Sequence, residues 1–318
     1  MNLIQPVDRN LSKIPPFHDA HIHFMVDGRQ TTLDDWLPLC TQYLSRGILS
    51  IQDMGHKSGL GLEVKKIKGK PKEPFLKIQT AGFALYKKGT YGQFLGKGVS
   101  GRKEIAAAIR NLAETGADFI KIINSGIVSF LEKNPVSGGG FSSEEWKVIQ
   151  EEAGRYRLKI FCHANGGPAI GQAIHGGAAS IEHGFFISRE TLHEMVEKRV
   201  SWTPTVNALL SIRAFLTGKE QRQLDQVVEN HLKAVYYAAE AGVQLRVGTD
   251  SGSKGVATGE SFFKELRLFK KAGLSLGQIL SAACLDPEEI EPGNYLLVNK
   301  NFIDQGRVEA VIGSRHEA

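Results

Sequence analysis

Cysteine is scarce: Cys40, Cys162 and Cys284 are the whole complement in 318 residues. Their odd number and wide spacing exclude a disulfide framework, and the lack of a Cys-x-x-Cys pair excludes a thiolate zinc knuckle. A reducing, cytoplasmic setting is the expectation. Long apolar runs are missing too. None approaches the roughly 20 residues that a membrane-spanning helix needs, and the opening MNLIQPVDRN has no apolar core of the secretory kind. No membrane partner is expected. Nor does one sign of charge dominate, with 39 Lys+Arg against 34 Asp+Glu and a net charge of +5. The densest basic stretch, residues 65–72, interleaves no aromatic side chains with its lysines. It offers no stacking platform for bases, so no nucleic-acid partner is expected and the stretch reads as a solvated loop.

What is present is ordinary in bulk and specific in detail. At 42% hydrophobic and 23% charged, the chain has enough material for one large α/β domain. Short β-branched runs close repeatedly on a polar residue. They cover residues 17–24, 47–53, 75–82, 119–123, 159–163, 179–183, 200–205 and 243–250. Helical patterns fall at 32–46, 102–115, 142–155, 220–241, 259–272 and 276–284. The helix beginning near Ser142 opens Ser-Ser-Glu-Glu, an N-cap followed by first-turn acids. Eight strands in such alternation predict a parallel sheet closed as a (β/α)8 TIM barrel over residues 1–285. Residues 286–318 then form a small C-terminal β appendage packed on the barrel.

The polar residues that end these strands carry the chemistry. His21 and His23 are two apart on one strand and share a face, so both imidazoles can grip one metal ion. Lys121, His163, His183 and Asp250 close strands four, five, six and eight. In a barrel these C-terminal strand ends converge, which an open sheet does not achieve for strands one, four and eight. His21, His23 and Asp250 suit one divalent ion, and His163 and His183 suit a second. Two cations held close need a bridging anion. Lys121 lies in the apolar run Phe119-Ile120-Lys121-Ile122-Ile123. Desolvation there lowers its pKa, and the neutral amine can take up CO₂ as a carbamate. Such a metal pair activates water and polarises a carbonyl or phosphoryl group, with Asp250 moving the proton. Zn²⁺ is the expected metal, although Mn²⁺, Co²⁺ and Fe²⁺ suit the same donors.

The chain resembles the amidohydrolase superfamily from about residue 16 to 285. The motifs FHDAHIHF (17–24), IQDMG (51–55), GADFIKI (116–122), FCHANG (161–166), SIEHG (180–184) and GTDSG (248–252) carry the resemblance. Lysine on strand four is similar to the binuclear branch with Xaa-Pro and Xaa-Arg dipeptidases, and imidazolonepropionase-like proteins are more distant. The resemblance implies His21 and His23 on the more buried metal, Lys121 as carbamate bridge, His163 and His183 on the second metal, and Asp250 as ligand and base. It implies hydrolysis of an amide-type C–N bond in a dipeptide, N-acyl amino acid or cyclic amide, and it favours a homo-oligomer. Lactonase or phosphotriesterase activity, or a metal-binding barrel without turnover, are the alternatives. Deaminase-like members carry His-x-x-Glu on strand five, whereas His163 is followed by Ala164-Asn165-Gly166. Members also carry several dozen residues of β-sandwich before the His-x-His strand. Only twenty residues precede His21 here, so the sandwich is expected to be missing or rudimentary.

Loop position suggests Tyr91, His56 and Asn124 as small-molecule substrate contacts. Parity along the strands predicts that Asp19 and Arg246 pair inside the barrel floor. Trp202 is read as pocket wall or core, and Cys162 as core. His18, His175, His193, His231 and His316 have no strand-end placement and read as structural or surface residues.

Overall fold

The computed structural model describes residues 3–67, 76–129 and 135–313. The basic stretch therefore lies mostly outside the described residues. Its first lysine, Lys65, pairs with Asp118 at 2.6 Å.

Eight extended segments form a closed ring. Strands Phe17–Ile22, Ile48–Asp53 and Lys77–Thr80 pair in parallel in chain order. Strands Phe119–Ile123, Lys159–Ala164, Ser180–His183 and Ser201–Thr203 do the same. The third and fourth strands meet where the Asp118 amide donates to the Thr80 carbonyl at 2.9 Å. The eighth segment closes the ring. Leu245 bridges Trp202 on one side, and Ser251 bridges Ile22 on the other. The Asp250 amide donates to the His21 carbonyl at 2.7 Å, and the Ala20 amide to the Val247 carbonyl at 2.9 Å. This is the expected (β/α)8 barrel. Most of its buried apolar side chains form one large cluster, whereas Phe119 stacks on Phe161, ring centroids 4.5 Å apart, in a separate small one.

Two strands differ from expectation. The third breaks at Gly82, whose φ of +67° suits glycine. The chain then resumes as Ala84–Lys87, which pairs with both Phe119–Ile123 and Gly96–Val99. The eighth is no continuous ladder; bridges at Leu245 and Ser251 hold it. The first strand also shifts register between Asp19 and Ile22. Counting by twos fails across such irregularities, and the Asp19–Arg246 pair is not formed. Asp19 is fully buried and accepts from the Thr249 amide at 3.0 Å and hydroxyl at 2.8 Å. Arg246 instead reaches outward to Asp286 at 3.1 Å.

The outer helices start and stop where their caps say. Ser142 and Glu145 form a reciprocal capping box at the head of Ser143–Arg155. Gly116 ends Gly101–Thr115 at φ +91°, a left-handed position that glycine takes without steric cost. Helices Gly167–His175, Arg189–Lys198 and Val206–Ser211 follow strands five, six and seven and complete the alternation.

The appendage is a single antiparallel sheet. Tyr295–Asn299 pairs with Ala310–Ile312 on one side and Leu11–Ile14 on the other, and Gln5–Pro6 pairs with Leu11–Ile14. Residues before the barrel thus share a sheet with residues after it. Leu296, fully buried, seats this sheet against Gly47 at the foot of the second strand. No described helix is long and apolar enough to cross a membrane.

Candidate metal centre

His21, His23, Lys121, His163, His183 and Asp250 meet at the C-terminal mouth of the barrel, where all six line one cavity of about 510 Å³. Such a volume suits a small organic molecule. Three of them, His21, His23 and Asp250, hold ligand atoms within 4.8 Å of one another. The ring centroids of His21 and His183 are 4.9 Å apart, and those of His163 and His183 are 4.5 Å apart.

Each imidazole has one nitrogen committed to the protein, which fixes the other for a ligand. His21 Nδ1 lies 2.6 Å from Glu182 Oε2, and its Nε2 faces Asp250 at 3.5 Å. His23 Nδ1 donates to the Gly55 carbonyl at 2.9 Å, leaving Nε2 at 3.2 Å from Asp250 Oδ1. His183 Nδ1 is 2.7 Å from the Thr205 hydroxyl. His163 donates from Nε2 to the Gly126 carbonyl at 3.1 Å, which frees Nδ1. His183 and Asp250 both sit at left-handed backbone positions, with φ of 66° and 56°. Non-glycine residues held there carry strain that clusters at functional sites.

Among the six residues of the cluster, two carry a buried polar atom with no hydrogen-bond partner: His21 Nε2 and Lys121 Nζ. A buried polar group left unpaired is costly. Both atoms face the cavity that the other donors line. A metal ion on His21 and an anionic carbamate on Lys121 would satisfy both, so the donor set fits a divalent pair.

The charge states point the same way. Burial, reinforced by the Lys121 charge, pushes His21 well below the ordinary histidine range. Burial does the same to His183, helped by the neighbouring His163 and His21. Burial and then Lys121 push His163 down to about 4. These imidazoles are neutral, the form that binds metals. Burial lowers Lys121, so its reactive neutral amine is more accessible than in an exposed lysine. For Asp250, burial raises the carboxyl, but the His23 bond and the His21, His23 and Lys121 charges outweigh it, and the net shift is downward.

The candidate substrate contacts separate. Tyr91 lines the cavity, its ring centroid 5.7 Å from that of His163. His56 is 2% exposed, bonds Ser58 through Nδ1, and is not among the lining residues. It is buried rather than placed on a surface loop. The Asn124 side chain is spent on framework bonds: it donates to the Ala169 carbonyl and Gln172, and accepts from the Phe141 amide and Trp146. It does not line the cavity either. Trp202 is fully buried core, and its indole donates to the His183 carbonyl at 2.9 Å. Cys162 is core as expected.

Sequence reasoning missed two supporting residues. Glu182, fully buried, orients His21 from strand six and accepts from the Ser180 hydroxyl at 2.6 Å. An acid directly before a strand-end histidine was the available signal. Thr205 orients His183 from the turn after strand seven, and nothing in its local sequence marks it.

Comparison with known proteins agrees with this geometry. The amidohydrolase family profile matches residues 13–290. Ochratoxinase from Aspergillus niger is 34% identical over 159 residues, which are 49% of this chain and 33% of that protein. The chain therefore matches about a third of the length of this relative. Its crystal structure superposes with a TM-score of 0.74 at 24% identity, over 94% of this chain and 81% of that one. A Xaa-Pro dipeptidase with bound methionine superposes with a TM-score of 0.73 at 20% identity, over 94% and 84%. A putative prolidase from Bifidobacterium longum gives 0.76 at 22%, over 96% and 80%. With its barrel, its strand-end donors and a profile match across most of its length, this chain belongs to the amidohydrolase family.

Proposed function

We propose that the protein is a metal-dependent hydrolase of amide-type C–N bonds. The observation that carries this is the pair of buried, unpartnered atoms, His21 Nε2 and Lys121 Nζ, in a cluster of neutral imidazoles beside a charged Asp250. His21, His23 and Asp250 would hold one ion, His163 and His183 the other, with carbamylated Lys121 between. Zn²⁺ is the metal we expect. When bound, such a pair supplies Lewis acidity for acidifying water and polarising a carbonyl. Asp250 Oδ1 accepts the proton of the attacking water and returns it to the leaving nitrogen. Glu182 and the Gly55 carbonyl keep His21 and His23 in the tautomers this needs.

The cavity walls narrow the substrate. Met25, Phe94, Leu95, Phe185, Leu209 and Ile212 make an apolar sleeve above the donors. Apart from Lys121, the cation among the described lining residues is Lys254. Its ammonium lies over the Phe215 ring, 4.2 Å from the centroid. An apolar acyl group and a free carboxylate on the amine side match these walls, as in a dipeptide or N-acyl amino acid. Ochratoxinase and Xaa-Pro dipeptidase among the similar proteins support an amide substrate.

Side-by-side turnover of dipeptides, N-acyl amino acids, lactones and a phosphotriester tests the reading. N-acyl amino acids or dipeptides should turn over best. Asp250→Asn should lower kcat by about 10²–10⁴-fold. Lys254→Met should raise KM for acids by about tenfold and leave the matching carboxamides unchanged. Preferred turnover of lactones or the phosphotriester would replace the amide reading with the ester one, and metal occupancy without turnover would leave a binding protein.

A further inference from the structure

The turn after the seventh strand is held in an uncommon shape. Thr205 has φ 45° and ψ 46°, a left-handed position that a β-branched residue rarely takes. Its hydroxyl is the group that meets His183 Nδ1 at 2.7 Å. Such a turn persists only where its surroundings over-determine it. Here two outer helices grip it from behind. His231, on the helix Gly218–Ala241, meets the Pro204 carbonyl at 3.0 Å through Nε2. Glu265, on the helix Glu260–Ala272, accepts from the Val206 amide at 2.8 Å with one oxygen and from the Asn207 amide at 2.7 Å with the other.

Glu265 is fully buried, and its carboxyl is spent on these two backbone bonds. It does not line the cavity. Burial is expensive for a carboxyl, and the nearby Asp19 charge, of like sign, makes it more so. An apolar residue would fill the same space without that cost. What the carboxyl supplies is geometry: two parallel acceptors at fixed spacing, set against two successive amides.

We propose that Glu265 is a positioning residue for the second metal site. It locks the turn of residues 204–207, so that the Thr205 hydroxyl holds His183 with Nε2 directed at the ion. The proposal rests on the reading of His183 as a ligand. It also explains why the clamp sits beside Ala208 and Leu209, which continue from the same turn into the cavity wall.

Zinc titration of the metal-stripped full-length protein, followed by calorimetry, tests this. Glu265→Gln places an amide donor against one of the two N–H groups. It should weaken the second ion by about 10–100-fold, the usual cost of losing an outer partner of a ligand, and leave the first unchanged. Thr205→Val keeps the carboxylate clamp and removes the hydroxyl, so it should show the same selective loss even if Glu265→Gln does not fold. Phe269→Leu, in the core on the same helix, reports general destabilisation and should keep both ions. A second-ion affinity unchanged from the parent, or an equal loss at both ions, in Glu265→Gln or Thr205→Val overturns the proposal, as does a matching loss in Phe269→Leu. His183→Ala separates the two claims. If it keeps the second ion, the ligand reading fails; if it loses the ion while Glu265→Gln does not, only the clamp fails.

Discussion

His21 has one ring nitrogen 2.6 Å from a carboxylate and the other buried with no partner. His56 and His231 also bury one unpartnered ring nitrogen, so what marks His21 as a candidate ligand is that its free nitrogen faces Asp250 at 3.5 Å within the donor cluster. His18, three residues earlier, shows the other case. It is buried and meets the Ser50 hydroxyl at 2.9 Å. Burial, with help from the Arg246 charge, pushes its pKa down to about 4. The folded-state value lies below the unfolded one, so protonation favours unfolding. Stability is then lost as pH falls from the unfolded value of 6.5 towards 4. At the acid end of that window His18 should cost ~3 kcal/mol. The stability advantage of the parent over His18→Asn, from urea unfolding, should shrink across it; a constant gap would mean His18 is not buried neutral.

Residue identities were the legible part of the site. His21, His23, His163, His183 and Asp250 lie at or next to the ends of recognisable strands, Lys121 lies inside Phe119–Ile123, and barrel geometry brings such positions together. Thr205 was not legible and Glu182 only by its place directly before His183, because an orienting partner depends on cross-strand register and turn shape. His56 and Asn124 were misplaced for a related reason: loop position says which end of the barrel a residue is on, not where its side chain turns.

Among the elements, the eighth segment departs most from an ideal strand, held by bridges at Leu245 and Ser251. Its apolar run was visible in sequence; its broken ladder was not, and that break defeated the parity argument for Asp19 and Arg246. Gly248 explains part of its fit. A Cβ there would lie 2.4 Å from Thr203 Cγ2 and 2.7 Å from His21 Cβ. Gly248→Ala should therefore push strands one and seven off the segment. Overpacking of this kind costs about 1–3 kcal/mol, and the lowered Tm should come with weaker metal binding at His21. A variant as stable as the parent would show that the strands are not so tightly apposed. The helices after strands five and six escaped sequence reading; the first, Gly167–His175, carries Gly-Pro at its start, which reads as a turn.

For the whole molecule, alternation along the chain pointed to a parallel sheet, and the positions of the strand-end donors decided for a closed barrel over an open sheet. The tail was legible as strands but not as a sheet shared with residues 5–14, a pairing that spans nearly the whole chain. That sheet lies at the foot of the barrel by Gly47, away from the donors at its mouth. The proposed chemistry therefore rests on the mouth alone, and above all on Lys121, whose buried amine has no hydrogen-bond partner among the described residues. Metal content by plasma mass spectrometry, on protein expressed with zinc and bicarbonate, is the direct test. The parent should hold about two ions per chain, and Lys121→Ala about one or none. The same content in both proteins would contradict a lysine-bridged pair.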